Sequence, residues 1–199
     1  MILEIQRKKA VNSFIPVHGF FLLGTLTALI LALSGCGAAS FAAIRTGLDT
    51  RGHYIEGVPF VKQTEYDCGP AALTSVLSFR GKAVDLERIT ASVYLPRLRG
   101  TLPMDLERYA KDEGFKTSSS AGTADILKTA VRSDIPVICL LDLGFGFYRQ
   151  PHFVTVIGFD DGNGLFIMHD GGTANKTMLY EDFEKKWARA GNWMIVITP

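Results

Sequence analysis

The sequence predicts an α+β domain in which N-terminal helices pack on an antiparallel sheet. Apolar residues recur at helical spacing from Cys68 through the middle of the chain, and after Ser133 the period changes to apolar runs of strand length. Turn chemistry separates those runs, so the strands follow the helices as a group.

Each element has its own signal. "GVPFVKQ" (57–63) reads as an approach strand or extended segment. In "CGPAALTSVLSFRG", Ala71, Ala72, Leu73, Val76, Leu77 and Phe79 fall mostly on one helical face, Pro70 suits a first turn and Gly81 marks the stop, which places Cys68 at a helix N-terminus. Asp85 is the expected N-cap of a second helix over "LERITASVY". A third lies in "TLPMDLERYAKDEG", with Thr101 as cap, Pro103 in the first turn and Gly114 at the end. Thr123 opens a fourth, "TADILKTAVRS". The strands are "PVICLLDL", "HFVTVIGFDD" and "GLFIMHD", the last two joined by "DDGNG", a strong hairpin signal. A short helix "YEDFEKKWARAG" and a final strand "NWMIVITP" follow.

Upstream of these elements, residues 1–35 have the organisation of an export signal: basic residues in "EIQRKK", the apolar core "GFFLLGTLTALILAL" and the ending "LSGC". That ending resembles a bacterial lipobox. The resemblance implies cleavage after residue 35, a lipid on Cys36 and attachment to a membrane through it. An uncleaved anchor is the alternative, because the apolar run approaches the length of about 17 residues that crosses a bilayer. Gly37 is not the Asp that often retains lipoproteins at the inner membrane, so the expected location is the cell envelope, at the periplasmic face of the outer membrane. The expected organisation is thus a signal peptide over 1–35, a tether over 36–56 and one domain over 57–199. Residues 1–35 carry Glu4, Arg7, Lys8 and Lys9, a net +2, so without them the formal charge of +1 becomes −1. A near-neutral domain carries no general electrostatic case for nucleic acid.

The cysteines direct attention to one residue. An oxidising compartment favours pairs, yet the chain has only Cys36, Cys68 and Cys139. Cys139 sits in the apolar run "IPVICLLDL", where a cysteine ordinarily serves as a small buried hydrophobe; a Cys68–Cys139 disulfide is the alternative. With Cys36 lipidated, Cys68 is left as a thiol outside the cytoplasm. A helix N-terminus favours its thiolate. Three histidines follow residue 35. His53 lies in the expected tether, His152 opens a strand after the Gly- and aromatic-rich "GFGFYRQP", and His169 closes the next strand beside Asp170. In an antiparallel hairpin the start of one strand lies near the end of the next, so His152 and Asp170 can be neighbours. Asp170 would then orient the imidazole, and alternation puts His169 on the opposite face. Gln63, five residues before Cys68, is positioned to join the Cys68 N–H as an oxyanion donor. Each has an ordinary alternative: a surface Gln, a merely hydrogen-bonded His, an Asp that forms a turn before Gly-Gly.

Together, "QTEYDCGPAAL" and "HFVTVIGFDDGNGLFIMHD" resemble the papain-like cysteine peptidases that process double-glycine leader peptides in bacteriocin export. The resemblance runs from about Val58 to Pro199. It implies a papain-like fold, Cys68 as nucleophile, His152 as base, Asp170 as orienting acid and Gln63 as oxyanion residue, with a peptide or protein as substrate. Two departures accompany it. Export-type members are fused to a transporter with an ATPase, whereas no GxxxxGK[ST] occurs here; and their Asp is commonly followed by Pro, here by Gly171 and Gly172. The expected activity is hydrolysis of a peptide bond through an acyl-thioester, with a transglutaminase-like acyl transfer and a silent peptide-binding module as alternatives. No cofactor or metal is expected, since the histidines lack ligand spacing. "YLPRLRGT" and "GFGFYRQP" are the candidate borders of a substrate groove.

Overall fold

The change of period after Ser133 corresponds to a seven-stranded sheet. The computed structural model describes residues 41–45, 48–64 and 66–199. The expected signal peptide, 1–35, and Cys36 lie outside the described residues. In chain order the elements are α1 (Phe41–Arg45), α2 (Leu48–Arg51), β1 (Gly52–Tyr54), α3 (Cys68–Phe79), α4 (Leu86–Val93), α5 (Pro103–Asp112) and β2 (Lys116–Ala121). There follow α6 (Ala124–Arg132), β3 (Val137–Asp142), β4 (Pro151–Asp160), β5 (Leu165–His169), β6 (Lys176–Leu179), α7 (Tyr180–Arg189) and β7 (Trp193–Thr198).

The strand order is β2-β7-β3-β4-β5-β6, and the pairings are antiparallel. Along one side of β4, β3 pairs with Pro151–Val156 and β1 takes over at Gly158–Asp160. The sheet is covered on both faces. Leu73, Val76 and Leu77 of α3 join Ile89 and Val93 of α4, Leu106 of α5 and Ile138, Phe153, Ile195 and Ile197 of the sheet in one core. The other core collects Val137, Cys139 and Leu141 of β3 with Leu127 and Val131 of α6 and Phe183 and Trp187 of α7. Alternation along β3, with Ile138 in one core and its neighbours Val137 and Cys139 in the other, explains why "PVICLLDL" is apolar throughout. In β4 the ladder to β5 shifts between Val156 and Gly158, and the inserted residue lets both Val156 and Ile157 enter the same core.

The α+β expectation holds, with local differences. Within the expected tether of 36–56, the described residues Ile44, Leu48 and Ile55 are buried in the second core, and β1 completes the edge of β4. Three widely spaced apolar side chains suffice to dock so short a segment, and they give no strong periodicity. Of the two forms expected for "GVPFVKQ", the strand is not adopted: the segment lies outside the sheet, tied at its end by the Gln63 N–H to the Gly171 carbonyl at 2.9 Å. Thr101 does not cap α5; Leu102 takes that position without a side-chain hydrogen bond, and Thr101 instead packs against the first turn of α3. Finally, "KTSSSA" is an edge strand paired to β7 along its whole length. Its polar composition conceals it, because an edge strand is held by ladder bonds more than by burial. The caps expected at Asp85 and Thr123 are present, accepting from Glu87 N at 3.3 Å and Ile126 N at 3.3 Å.

Candidate active site

Cys68 is the first residue of α3. The preceding Asp67 does not cap the helix with its carboxylate, which accepts the Thr64 hydroxyl instead; its main-chain carbonyl accepts from Ala71 N at 2.8 Å. The first-turn amides therefore have no side-chain cap from Asp67. Gly69 follows because space is short. A Cβ there would lie 3.1 Å from Thr101 Cβ and 3.2 Å from Phe153 Cδ2. This close approach brings the helix start against β4, and the N–H groups of Phe153, Gly69 and Cys68 itself act as donors to the sulfur's charged form. Burial acts the other way and is the larger effect, so the Cys68 pKa is raised, with the Asp67 charge adding to the rise. The helix-end stabilisation expected from the sequence is present and is outweighed.

His152 is the second residue of β4, and Asp170 follows the last residue of β5. Thr155 pairs with His169 across the hairpin, which puts the start of β4 beside the end of β5. The two residues do meet, but through an unexpected atom. His152 Nε2 lies 2.8 Å from the main-chain oxygen of Asp170. A carbonyl only accepts, so Nε2 carries the proton and Nδ1 is left as the ring's basic nitrogen. The Asp170 carboxylate turns into its own turn: Oδ1 accepts the N–H groups of Gly172 at 3.0 Å and Thr173 at 2.6 Å, and Oδ2 pairs with Lys176 Nζ at 2.5 Å. Burial opposes ionisation of Asp170, but the Lys176 and turn hydrogen bonds prevail and lower its pKa. The His152 pKa is also lowered, by burial first, against the pull of the Asp170 carbonyl and charge.

Gln63, Cys68, His152 and Asp170 all line one cavity of about 860 Å³. Gln63 is held by its N–H bond to Gly171, whose φ is +77°. A Cβ on Gly171 would stand 2.1 Å from Gln63 Oε1, so the glycine permits both the backbone conformation and the seat of the Gln63 side chain. That oxygen is buried with no partner. The other two histidines among the described residues are occupied elsewhere. His169 is buried, donates from Nε2 to the Val58 carbonyl at 3.1 Å and accepts from Asn175 N at 3.2 Å; His53 pairs with Asp134 at 2.8 Å. Cys139 is a buried free thiol, and so is not bonded to Cys68.

Both segments singled out as groove borders are in the wall. Leu98, Arg99, Thr101 and Leu102 form one side, and Leu143, Tyr148 and Gln150 another. Composition did not reveal how the second border is held. Asp142, buried at the end of β3, accepts from Gly144 N and Gln150 N at 2.9 Å each and pairs with Arg149 at 2.6 Å, while Arg189 of α7 reaches the Gly144 carbonyl at 2.7 Å. These bonds, led by the one from Arg149, hold the Asp142 carboxyl well below the usual carboxylate range. Lys176 was also missed. It stands six residues after Asp170, on β6, and meets the Asp170 carboxylate and acts on His152 only once β5 and β6 are paired.

A half-buried thiol and an imidazole that line one cavity are groups suited to attack on a carbonyl. The backbone is similar to that of the peptidase domain of Streptococcus ComA, a bifunctional ABC transporter of a quorum-sensing pathway, with TM-score 0.57 and 23% identity over 71% of this chain and 98% of that one. It is also similar to a C39-like peptidase from Bacillus anthracis (TM-score 0.62, 17% identity, 74% and 98%) and to a double-glycine-motif protease from an AMS/PCAT transporter, solved with a leader peptide (0.59, 22%, 75% and 96%). At these identities the likeness establishes the α+β, papain-like fold. No curated protein matches the chain. The model of the Peptidase_C39 like family matches residues 55–195, the whole of the sheet except its first strand and last few residues, and the chain belongs to that family.

Proposed function

We propose that the chain is an active cysteine peptidase that hydrolyses peptide bonds through an acyl-thioester on Cys68. The observation that carries this reading is the convergence of Cys68, His152, Gln63 and the residue 170 carbonyl on one cavity. With the thiol pKa raised and the imidazole pKa lowered, the resting pair is neutral. The thiol therefore gives up its proton as it attacks, and His152 Nδ1 takes it. Sulfur bonds to the substrate carbonyl carbon, and the carbonyl oxygen gains the negative charge, which the Cys68 N–H and the Gln63 carboxamide stabilise. His152 returns the proton to the leaving amine as the C–N bond breaks. Water, deprotonated by the same nitrogen, then attacks the thioester, releasing the acid product and restoring the thiol. In this reading Asp170 orients His152 with its main-chain carbonyl.

The carboxylate's commitment to Lys176 favours one alternative, a peptide-binding module without turnover. The deciding experiment incubates the full chain, wild type and Cys68→Ala, with a peptide library that includes double-glycine leader sequences, the motif named for a structural neighbour. Mass spectrometry reads the products and any acyl adduct on Cys68. Cleavage by the wild type alone supports the peptidase. Binding of peptides by both chains, with no product and no adduct, leaves the binding module. Placement in the cell envelope through a lipid on Cys36 belongs to the same proposal and is tested by intact mass of the membrane-extracted chain.

A further inference from the structure

We propose that Lys176 is a positioning residue: by holding the Asp170 carboxylate inside its turn, it leaves the main-chain carbonyl of residue 170 as the partner of His152 and keeps that imidazole a neutral base. The inference deepens the peptidase reading and rests on it for its functional meaning.

The argument is geometric. Asp170 offers His152 two kinds of acceptor. A carboxylate against Nε2–H would stabilise the imidazolium strongly, whereas a neutral carbonyl does so weakly. The structure selects the carbonyl at 2.8 Å, and three contacts occupy the carboxylate: Gly172 N, Thr173 N and Lys176 Nζ. The two amides belong to the turn itself and hold only Oδ1. Oδ2 is held by Lys176, which arrives from the neighbouring strand β6, where it pairs with Met168 of β5. Without that cation Oδ2 loses its ion-pair partner, on a residue that lines the same cavity as His152. Among the described residues, the Asp170 carboxylate and the Lys176 ammonium act on the ring, and the titratable or charged groups that share its cavity are the Cys68 thiol on α3, the Tyr66 and Tyr148 phenols, Arg99, and Arg149 of the β3–β4 loop, which is tied to Asp142. The Lys176 charge itself also depresses the His152 pKa. A positioning role and a bare charge effect therefore act in the same direction, and the test must separate them.

The measurement is ¹⁵N-edited NMR of the His152 ring in the full chain, recording tautomer and titration midpoint in the wild type, Lys176→Met, Lys176→Gln, Lys176→Arg, Asp170→Asn and the Asp170→Asn/Lys176→Met double variant. The expected result is an Nε2–H tautomer in the wild type, an upward shift of the midpoint in Lys176→Met and Lys176→Gln, recovery in Lys176→Arg, and little further shift when Lys176→Met is added to Asp170→Asn. An unchanged midpoint in both neutral variants overturns the proposal. So does an equal rise with and without the Asp170 carboxylate, which would be the direct charge effect alone. Because the readout is a ring titration, the two ideas fail separately. A wild type that cleaves nothing but titrates as expected removes the peptidase and keeps the Lys176 role, and a cleaving enzyme with an indifferent midpoint does the reverse.

Discussion

At the tip of the β4–β5 hairpin, Asp160 Oδ1 accepts the N–H groups of Gly162 at 2.8 Å and Asn163 at 3.1 Å; at its open end, Asp170 Oδ1 accepts those of Gly172 and Thr173. Each carboxylate also meets a cation, Arg51 at 3.5 Å in one case and Lys176 at 2.5 Å in the other. Asp142 repeats the device at the end of β3 with Gly144 and Arg149. In all three an aspartate stands two residues before a glycine. The difference lies in the main chain. Residue 160 still pairs with Leu165 on one side and Gly52 on the other, whereas β5 has ended before residue 170, and its carbonyl is available to His152. The same local turn thus closes a loop at one end and presents an acceptor to a catalytic candidate at the other.

That contrast can be broken in four ways. The largest effect is expected from His152→Ala or Cys68→Ala, each lowering kcat/KM by about 10³-fold or more in a peptide-cleavage assay, since each would remove a bond-making or proton-transferring group. With His152 intact, the acid limb of kcat/KM should fall below the ordinary imidazole value of about 6.5, because burial lowers that pKa and the neutral base survives to lower pH. Iodoacetamide should likewise alkylate Cys68 fastest above the ordinary thiol value of about 8.5. Next comes Gly171→Ala. A methyl group there displaces Gln63, and the loss of one oxyanion donor should cost about 10²-fold in kcat with KM little changed.

The third change acts on the tip alone. Asp160→Ala leaves the Gly162 and Asn163 amides without their acceptor and should destabilise the fold by about 2 kcal/mol in urea unfolding, while cleavage by the folded fraction is unaffected. The smallest effect is expected from Asp170→Asn, because the amide oxygen can still accept from Gly172 and Thr173 and the main-chain carbonyl is untouched. Its kcat/KM should stay within about 10-fold of wild type. A fall of about 10⁴-fold would mean that the carboxylate orients the ring after all, and the likeness between residues 160 and 170 would be superficial.

Much of this site was legible because it is written in short-range terms. Pro70 and Gly81 bracket the helix that begins at Cys68, and "DDGNG" sets the hairpin that brings residues 152 and 170 together. Gln63, Cys68, His152 and Asp170 share a cavity. What escaped was encoded weakly or at a distance. Residues 41–56 dock through Ile44, Leu48 and Ile55, too few to leave a period. The polar run of β2 shows its strand character only against β7. Asp142 reads as a strand residue until Arg149 and Arg189 close on it.

The direction of the Cys68 pKa shift was misjudged for a related reason. A helix N-terminus is visible in sequence, and its pull on a thiolate is real, but the opposing cost of burying the thiol in the folded chain is larger. By itself, then, the sequence determined the helices and strands that have strong periodicity and the hairpin that allows residues 152 and 170 to meet, because those follow from capping, turn chemistry and alternation over a few residues. Only the tertiary structure decided which atom of Asp170 faces His152, where its carboxylate goes and in which direction burial moves the Cys68 and His152 pKa values. Those outcomes depend on burial and on a lysine delivered by another strand, and neither is a property of local sequence.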